Sequence, residues 1–411
     1  MKTTGFRGKA VFGLSSNIIF LGIISFLTDV SSELIFTLLP LFLANVLGAS
    51  TVIVGLIEGV AETTASVLKI VSGWLSDRLG KRKYLAFFGY ALSTISKPFM
   101  LVVASWGPVM AIRFADRFGK GIRTAPRDAM VADSAELENR GHAYGFHRAM
   151  DTSGAALGLI LAAFVVFLLQ KDLVDMQFDT YRWLIIAGII PAFAALFFFI
   201  FVKEPPKGFV DNFSVISDSK AVDGSENKWE FNLKFKIFLC IIFIFTLGNS
   251  SDAFIILRAQ NLGNNVFLIT LMLFVFNIVY ALFSAPAGIL SDKLGRKKVI
   301  IMGWLIYTLV YLGLAIADQN WMIWLLFAFY GLYYGLAEGV TRALVCDLVE
   351  PEKRGTAFGM YHGIVGITLL PASLIAGWLW QTVSPSAPFY FGAALAAVAA
   401  VGLLVFIRES N

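Results

Sequence analysis

The sequence predicts an all-α membrane protein, with twelve transmembrane helices arranged as two pseudo-symmetric six-helix bundles. Three observations predict this fold: the chain is strongly apolar, its apolar residues form twelve long segments, and a basic motif of the first half returns in the second. Hydrophobic residues make up 58% of the 411 residues and charged residues only 15%. So few charged residues could not cover the surface of a soluble protein.

Each bilayer crossing needs about 20 predominantly apolar residues. Segments of that length, numbered 1 to 12 in chain order, lie at residues 17–44, 51–75, 84–104, 108–131, 143–169, 183–202, 236–258, 265–290, 298–317, 322–346, 356–380 and 387–407. Between segments 6 and 7 the chain becomes polar and contains Pro205 and Pro206, which indicates an exposed connection. We therefore expect an N-terminal six-helix bundle at 1–202, a cytoplasmic linker at 203–235 and a C-terminal six-helix bundle at 236–411.

Lysine and arginine concentrate on one side of the twelve expected crossings. The formal net charge is +5, and most basic clusters fall at segment ends on the side of the N-terminus. The opposite loops carry Lys171 and Arg182, with Arg258 near the boundary. The positive-inside rule then predicts a multi-pass protein of the inner cell membrane with both termini in the cytoplasm. The basic charge is thereby explained as an orientation signal, and no nucleic acid partner is expected.

An internal repeat relates the two halves. Residues 73–83, GWLSDRLGKRK, return as residues 288–298, GILSDKLGRKK, at an offset of about 215 residues. A second pair starts at Asp133 and Asp347, each followed by an Arg-Gly pair and a further glycine, at an offset of about 214. Two six-helix halves repeated in parallel are a known plan of membrane transporters.

These motifs and the six-plus-six layout resemble the major facilitator superfamily, whose bacterial members include twelve-helix permeases, over essentially the whole chain. The resemblance implies a gate at the repeated motif, whose aspartate caps a neighbouring helix and whose arginine ties the halves together in one state. It assigns gating to Gly73, Asp77, Arg78, Gly80, Arg82, Gly288, Asp292, Gly295 and Arg296. One departure concerns segment 5, which has Gly154 and Gly158 but lacks the Gly-Pro pair typical of drug/proton antiporters.

Ionisable residues at membrane depth concentrate in the first half. The acids are Asp29, Glu33, Glu58, Glu62, Asp116 and Asp151, and the bases are Lys69, Lys97, Arg113, Arg117, Lys120 and Arg148. A single charge at the bilayer centre costs about 2.5–3.5 kcal/mol, so these side chains must pair or line a water-filled cavity. Helical spacing places the acids of segment 1 on one face of that helix. It places the ionisable residues of segment 2 in one stripe and the bases of segment 4 in another.

Two interpretations of these charges remain open, structural pairing and function. We expect structural pairs between Lys69 and Glu62, Arg148 and Asp151, and Glu338 and Arg342. The carboxylates of Asp29, Glu33 and Glu62 are the candidates for proton coupling, while the bases of segment 4 could bind an anion or serve as counter-ions to those acids. The candidates for substrate binding or proton coupling are Asp29, Glu33, Glu58, Glu62, Arg113, Asp116, Arg117, Lys120, Asn249 and Asp252.

The functional hypothesis is a secondary active, proton-coupled transporter that moves a small polar or charged organic solute, with an anion favoured, by alternating access. Alternatives are a multidrug efflux proton antiporter and a siderophore-type carboxylate permease. An enzyme is not expected, because the sequence has no phosphate-binding loop, paired metal ligands or nucleophile elbow. Neither cofactor nor metal is expected. The expected partners are the solute, protons and the lipid bilayer, and the chain should function as a monomer.

Overall fold

The computed structural model describes residues 14–79, 81–135, 140–204, 231–350 and 353–407. In this part of the chain, twelve long helices correspond one to one to the predicted segments, which confirms the predicted all-α fold. Those of the first half are α1 Ser16–Phe36, α2 Thr51–Leu79, α3 Arg82–Ser96, α4 Trp106–Asp133, α5 Arg140–Gln170 and α6 Phe178–Phe198. Those of the second half are α7, in two pieces at Leu233–Gly248 and Ala253–Asn261, α8 Val266–Leu294, α9 Arg296–Ile316, α10 Asn320–Leu348, α11 Arg354–Thr382 and α12 Ala387–Phe406.

Eleven of these helices are long and apolar enough to cross a membrane. The exception is α4, whose 28 residues correspond to about 42 Å of helix, more than the roughly 30 Å of a hydrocarbon core. Its charged side chains lower its average hydropathy, yet many of them point into the molecule. Apolar composition alone therefore does not identify α4, the helix that contributes the most charged side chains to the interior of the protein.

The helix α7 is interrupted between Gly248 and Ala253, at the level of the central cavity. Asparagine, serine and aspartate at 249–252 favour such a break, because their side chains compete for backbone hydrogen bonds. The Tyr307 hydroxyl donates to the carbonyl oxygen of Gly248 at 3.0 Å. Irregular backbone is tolerated at membrane depth where it is buried in protein or lines a cavity.

Helix packing repeats between the halves. In the first half α1 packs against α5 and α6, and α4 packs against α2 and α3; in the second, α7 packs against α11 and α12, and α10 packs against α8 and α9. Between the halves, α2 packs against α11 and α5 against α8. Those two contacts are equivalent under the repeat, as a parallel duplication requires. The exact domain boundaries stay a prediction, since residues 205–230 of the expected linker lie outside the described part.

The cavity between the halves is closed on one face and opens toward the other. We call the face where α1 begins and α12 ends the terminal face. On the opposite face, the amides of Asn45 and Gln260 bond each other across the halves, with donor–acceptor distances of 2.7 and 3.2 Å. Gln260 also donates to the carbonyl oxygen of Val174 at 2.8 Å. These contacts hold the opposite ends of the two halves together.

Helices α2 and α11 diverge toward the terminal face. Near the opposite face, a Cβ placed on Gly55 of α2 would overlap the carbonyl oxygen of Ser373 of α11. Farther along, a Cβ on Gly363 would lie 3.8 Å from the Ile70 side chain, and one on Gly359 would meet nothing within 4 Å. The two halves therefore separate progressively as they approach the terminal face.

Candidate functional site

A cavity of about 420 Å³ lies between the halves, within the size range of small-molecule sites. Its wall comes mainly from α1, α2 and α4 on one side and from α7 and α8 on the other. All the predicted substrate candidates line it except Asp116: Asp29, Glu33, Glu58, Glu62, Arg113, Arg117, Lys120, Asn249 and Asp252. Two further wall residues, Phe276 and Tyr334, were missed by sequence reasoning. Tyrosine is enriched at the membrane interface, whereas Tyr334 lies in the middle of its apolar segment. That unusual position was the sequence signal available for this residue.

A ladder of two ion pairs joins α2 to α4. Arg113 Nη2 lies 2.9 Å from Glu58 Oε2, and one turn along, Arg117 Nη2 lies 3.0 Å from Glu62 Oε1. The acidic stripe of α2 and the basic stripe of α4 thus serve as counter-ions to each other. This geometry supports the counter-ion interpretation for the two arginines.

The expected pairing of Lys69 with Glu62 is wrong, because Glu62 pairs with Arg117 and Lys69 is exposed. Seven residues along a helix separate two side chains by about 10 Å, whereas α4 lies directly beside α2. The expected pairing within α5 is also wrong. Arg148 donates to Tyr280 Oη of α8 at 3.0 Å, and Asp151 faces His147 Nδ1 at 3.6 Å.

A second cross-half contact extends from that tyrosine. The Tyr280 hydroxyl donates to Glu338, and Glu338 also pairs with Arg342 one turn along α10. The expected pair between Glu338 and Arg342 is therefore present. Together with Arg148, these side chains form a polar chain from α5 to α10 on the terminal side of the cavity.

Further charges lie behind the cavity wall. Asp116 is 3% exposed, accepts a hydrogen bond from the Ser93 hydroxyl and lies 3.7 Å from Arg113 Nη1. Lys97 is 1% exposed and donates to the hydroxyls of Ser31 and Ser32 of α1, at 2.7 and 3.2 Å. Asp116 is therefore part of the supporting layer, where it helps to hold Arg113 in place.

Asp29 and Lys120 differ from the other charged wall residues of the first half. Glu33 accepts a hydrogen bond from Thr37, while the glutamates of α2 are held by arginines. Within the described residues, neither Asp29 nor Lys120 makes a direct hydrogen bond or ion pair. An ammonium with three donors and a carboxylate with four acceptor positions are thus available at the cavity.

Among the described residues, the wall of the second half contains a single carboxylate, that of Asp252, beside a group of aromatic rings. The Tyr330 hydroxyl donates to Asp252 Oδ1 at 2.6 Å. The ring of Phe276 packs on those of Tyr330 and Tyr334, with centroid distances of 5.4 Å in both cases. Asn249 donates weakly to Tyr333 at 3.5 Å, and its Oδ1 is buried without a partner in the described part of the chain.

The repeated basic motif lies at the terminal face in both halves. Arg82 pairs with Asp133, and Arg296 lies 3.5 Å from the equivalent Asp347 and 2.5 Å from Asp292. These equivalent pairs reproduce the sequence repeat in three dimensions, each within its own half.

The remaining motif residues lie around these pairs. Arg78 lies over the ring of Trp74 at 5.3 Å, and both belong to the exposed end of α2. Gly73 and Gly288 lie within α2 and α8, and Gly295 connects α8 to α9. Gly80 and the side chain of Asp77 lie outside what the structure describes. The gating role of the motif stays a prediction.

No group of three or more histidine, cysteine, aspartate or glutamate side chains suited to a metal ion occurs among the described residues. The site is instead a polar, charged cavity whose donors and acceptors come from side chains on several helices. Such a cavity can bind a small charged solute and exchange protons with its carboxyl groups.

Comparison with known proteins gives a consistent result. The family described as Major Facilitator Superfamily matches residues 21–257 and 237–411. An uncharacterized MFS-type transporter of Methanocaldococcus jannaschii is 38% identical over 407 residues, 96% of this chain and 95% of that protein. Among solved structures, a mutant of the nucleoside transporter NupG has a TM-score of 0.76 at 13% identity, covering 96% of this chain and 100% of that one. A D-xylose-proton symporter has a TM-score of 0.71 at 16% identity, covering 95% and 97%.

The structural likenesses show the fold alone, whereas the family match spans nearly the whole sequence and the archaeal relative aligns over almost its full length. The chain therefore belongs to the Major Facilitator Superfamily and is a multi-pass secondary transporter.

Proposed function

We propose that this transporter moves a small organic anion by alternating access, coupled to protons. The observation that carries the proposal is Lys120, a cation on the cavity wall with no hydrogen bond or ion pair to the described residues. The ammonium group is half-buried and makes no direct contact with the nearby carboxylates of Asp29 and Glu62, so its three N–H donors can bind an anionic group of the solute. Arg117 lies one turn away and retains an Nε without a partner in the described structure.

The charge balance of the wall favours binding of the anion together with protons. In the described part of the chain, five carboxylates and three cations line the cavity. A net acidic wall attracts an anion only when some of its carboxyl groups are neutral. Arg113 and Arg117 pair with Glu58 and Glu62, so the wall carboxyl groups available for proton exchange are Asp29, Glu33 and Asp252. One protein of the same fold is described as a D-xylose-proton symporter, which supports proton coupling for this fold.

The distribution of basic residues supports a cytoplasmic terminal face in the inner cell membrane. In that orientation the cavity opens toward the cytoplasm. The motif residues at α2–α3 and α8–α9 would then control closure of the cytoplasmic side. A single chain carries both halves of the cavity, which supports function as a monomer.

A second candidate function is multidrug efflux by proton antiport, favoured by the excess of wall carboxylates and by the rings of Phe276 and Tyr334. A lipophilic cation would bind there and displace protons. A siderophore-type carboxylate permease remains a variant of the anion proposal, differing in the size of the solute.

Thermal unfolding of the purified protein in detergent separates these functions. We would compare succinate, citrate, inorganic phosphate, tetraphenylphosphonium and glucose, because binding to the folded state raises the melting temperature. We expect a carboxylate or phosphate to stabilise the protein by a few degrees, and Lys120→Gln to abolish the shift. The control is Lys234→Gln, which removes an exposed lysine at the start of α7.

An anion that stabilises the protein is then tested in proteoliposomes with a pH dye inside. We expect its uptake to be accompanied by proton movement, and Asp29→Asn to remove that movement. Stabilisation by tetraphenylphosphonium alone, unaffected by Lys120→Gln, would contradict the anion proposal and support efflux of cations.

A further inference from the structure

Resting on the proposed function, we infer that the solute carries an amine in addition to its anionic group, and that this zwitterion spans the cavity. Its anionic group binds Lys120 on the first-half wall. Its cationic amine binds Asp252 on the second-half wall, against the rings of Phe276 and Tyr334.

Asp252 is available to a ligand. It is an exposed residue in the cavity wall at the break in α7, and only its Oδ1 has a described hydrogen bond, from Tyr330. No lysine, arginine or histidine belongs to the described second-half wall. The carboxylate therefore has one oxygen free for a donor that comes from outside the chain.

A role for Asp252 in supporting the helix does not account for its position. It is the residue before the second piece of α7, where an aspartate side chain often caps the first backbone N–H groups. Its side chain makes no such bond; instead the Ser251 hydroxyl accepts from the N–H of Ala253 at 3.2 Å. The Asp252 carboxylate therefore does not cap the second piece of α7.

The neighbouring rings suit an ammonium group. Phe276 and Tyr334 meet nearly at right angles, at 87°, and both line the cavity near this carboxylate. A cation within about 6 Å of a ring face is attracted by the negative charge density of that face, and aromatic cages recognise amines in this way. Tyr330 packs against both rings, with centroids 5.4 and 5.2 Å away, and fixes the carboxylate beside them.

The two walls together select a solute with both charges. A monoanion would pair with Lys120 but leave the Asp252 carboxylate in a cavity partly emptied of water, and a simple amine would leave Lys120 in the same situation. Each uncompensated charge costs free energy, so a zwitterion, which partners both charges, should bind more tightly than either singly charged solute. The cavity of about 420 Å³ has room for a solute of amino-acid size.

Matched sets of compounds test the inference on the full chain in detergent. Each set contains a zwitterion and its two singly charged relatives: 4-aminobutanoate with butanoate and butylamine, and phenylalanine with 3-phenylpropanoate and 2-phenylethylamine. The measurement is the concentration of each compound that gives half of its maximal shift in melting temperature. We expect at least one zwitterion to act at a concentration about tenfold or more below both relatives, or about 1.4 kcal/mol.

Variants assign the two charges to the two walls. Asp252→Asn should remove the advantage of the zwitterion over the acid while the acid binds as before, and Lys120→Gln should remove its advantage over the amine. Asp318→Asn, in the exposed loop between α9 and α10, is the matched control. Phe276→Leu keeps an apolar side chain, and it should weaken the zwitterion about threefold or more without affecting the acid.

The outcomes distinguish this inference from the proposed function. If the acids bind as tightly as the zwitterions and Asp252→Asn has no effect, the zwitterion inference is overturned while anion transport stands. If Asp29→Asn, and not Asp252→Asn, removes the advantage of the amine group, the assignment to the second-half wall is overturned. Stabilisation by amines alone contradicts the inference and the proposed function together. Stabilisation by no compound in any set, when succinate, citrate or phosphate does stabilise the protein, overturns the inference alone.

Discussion

The face of the cavity opposite the termini is held shut by a small hydrogen-bond cluster, and Gln260→Ala should loosen it. The amide of Gln260 exchanges hydrogen bonds with Asn45 at 2.7 and 3.2 Å and donates to the Val174 carbonyl at 2.8 Å. Alanine removes these three bonds and a longer one from Gln260 Nε2 to Asp175 Oδ1 at 3.5 Å, and all of them join the two halves only while this face is closed. The substitution therefore acts selectively on the present conformation.

The magnitude follows from the number of bonds. A net contribution of about 0.5–1.5 kcal/mol for each hydrogen bond gives about 1.5–4.5 kcal/mol, and partial exposure favours the lower part, about 2 kcal/mol. Such a loss shifts the equilibrium between conformations about 30-fold. A state with the opposite face open that is populated at about 1% would rise to about a quarter of the molecules.

The distance between α2 and α11 at the terminal face reports this shift. Spin labels on Trp74→Cys and Gly359→Cys, in a background with Cys240→Ala and Cys346→Ala, can be followed by double electron–electron resonance. Trp74 is 61% exposed and a Cβ on Gly359 meets nothing within 4 Å, so both labels have room. Opening of the opposite face by alternating access should add a population with a shorter distance.

The matched control is Gln319→Ala, which removes an exposed glutamine on the same face, in the loop before α10. It should leave the distance distribution unchanged. If Gln260→Ala also leaves it unchanged, the amide cluster does not hold this face closed, and the reasoning from hydrogen bonds across the halves is refuted.

Three further predictions concern stability and the site. Glu58→Gln should lower the free energy of unfolding by about 1–3 kcal/mol, because it removes one of the two carboxylates near the buried Arg113 charge and leaves Asp116 at 3.7 Å. Glu58→Leu combined with Arg113→Met should recover much of the loss; denaturant unfolding in mixed micelles measures both. Gly295→Ala should lower the melting temperature through a loss of about 1–3 kcal/mol, because φ is +96° there; an unchanged melting temperature would show that no strain arises. Tyr330→Phe removes the hydroxyl group that donates to Asp252, and it should lower the affinity for an amine-bearing ligand by about threefold or more. An unchanged affinity in a titration would show that the hydroxyl does not position the carboxylate.

The twelve crossings, the duplication and the charged stripes follow from the sequence by itself. Apolar length determines where helices can cross a bilayer, and a basic motif repeated at about 215 residues indicates duplicated halves. Helical periodicity then places residues four apart on one face, as with Glu58 and Glu62 on α2. These properties are local, or depend on comparing two stretches of one chain, so no knowledge of helix packing is needed.

The tertiary structure alone decided which charges meet. Periodicity offered Lys69 as a partner for Glu62, yet α4 packs beside α2 and supplies Arg117. It also brought Phe276 and Tyr334 of two different helices to the wall opposite Lys120, and it placed Asp116 behind the wall. Sequence spacing relates side chains along one helix, whereas a site between helices depends on which neighbours pack together and at what rotation, and these are set by the burial of the whole bundle.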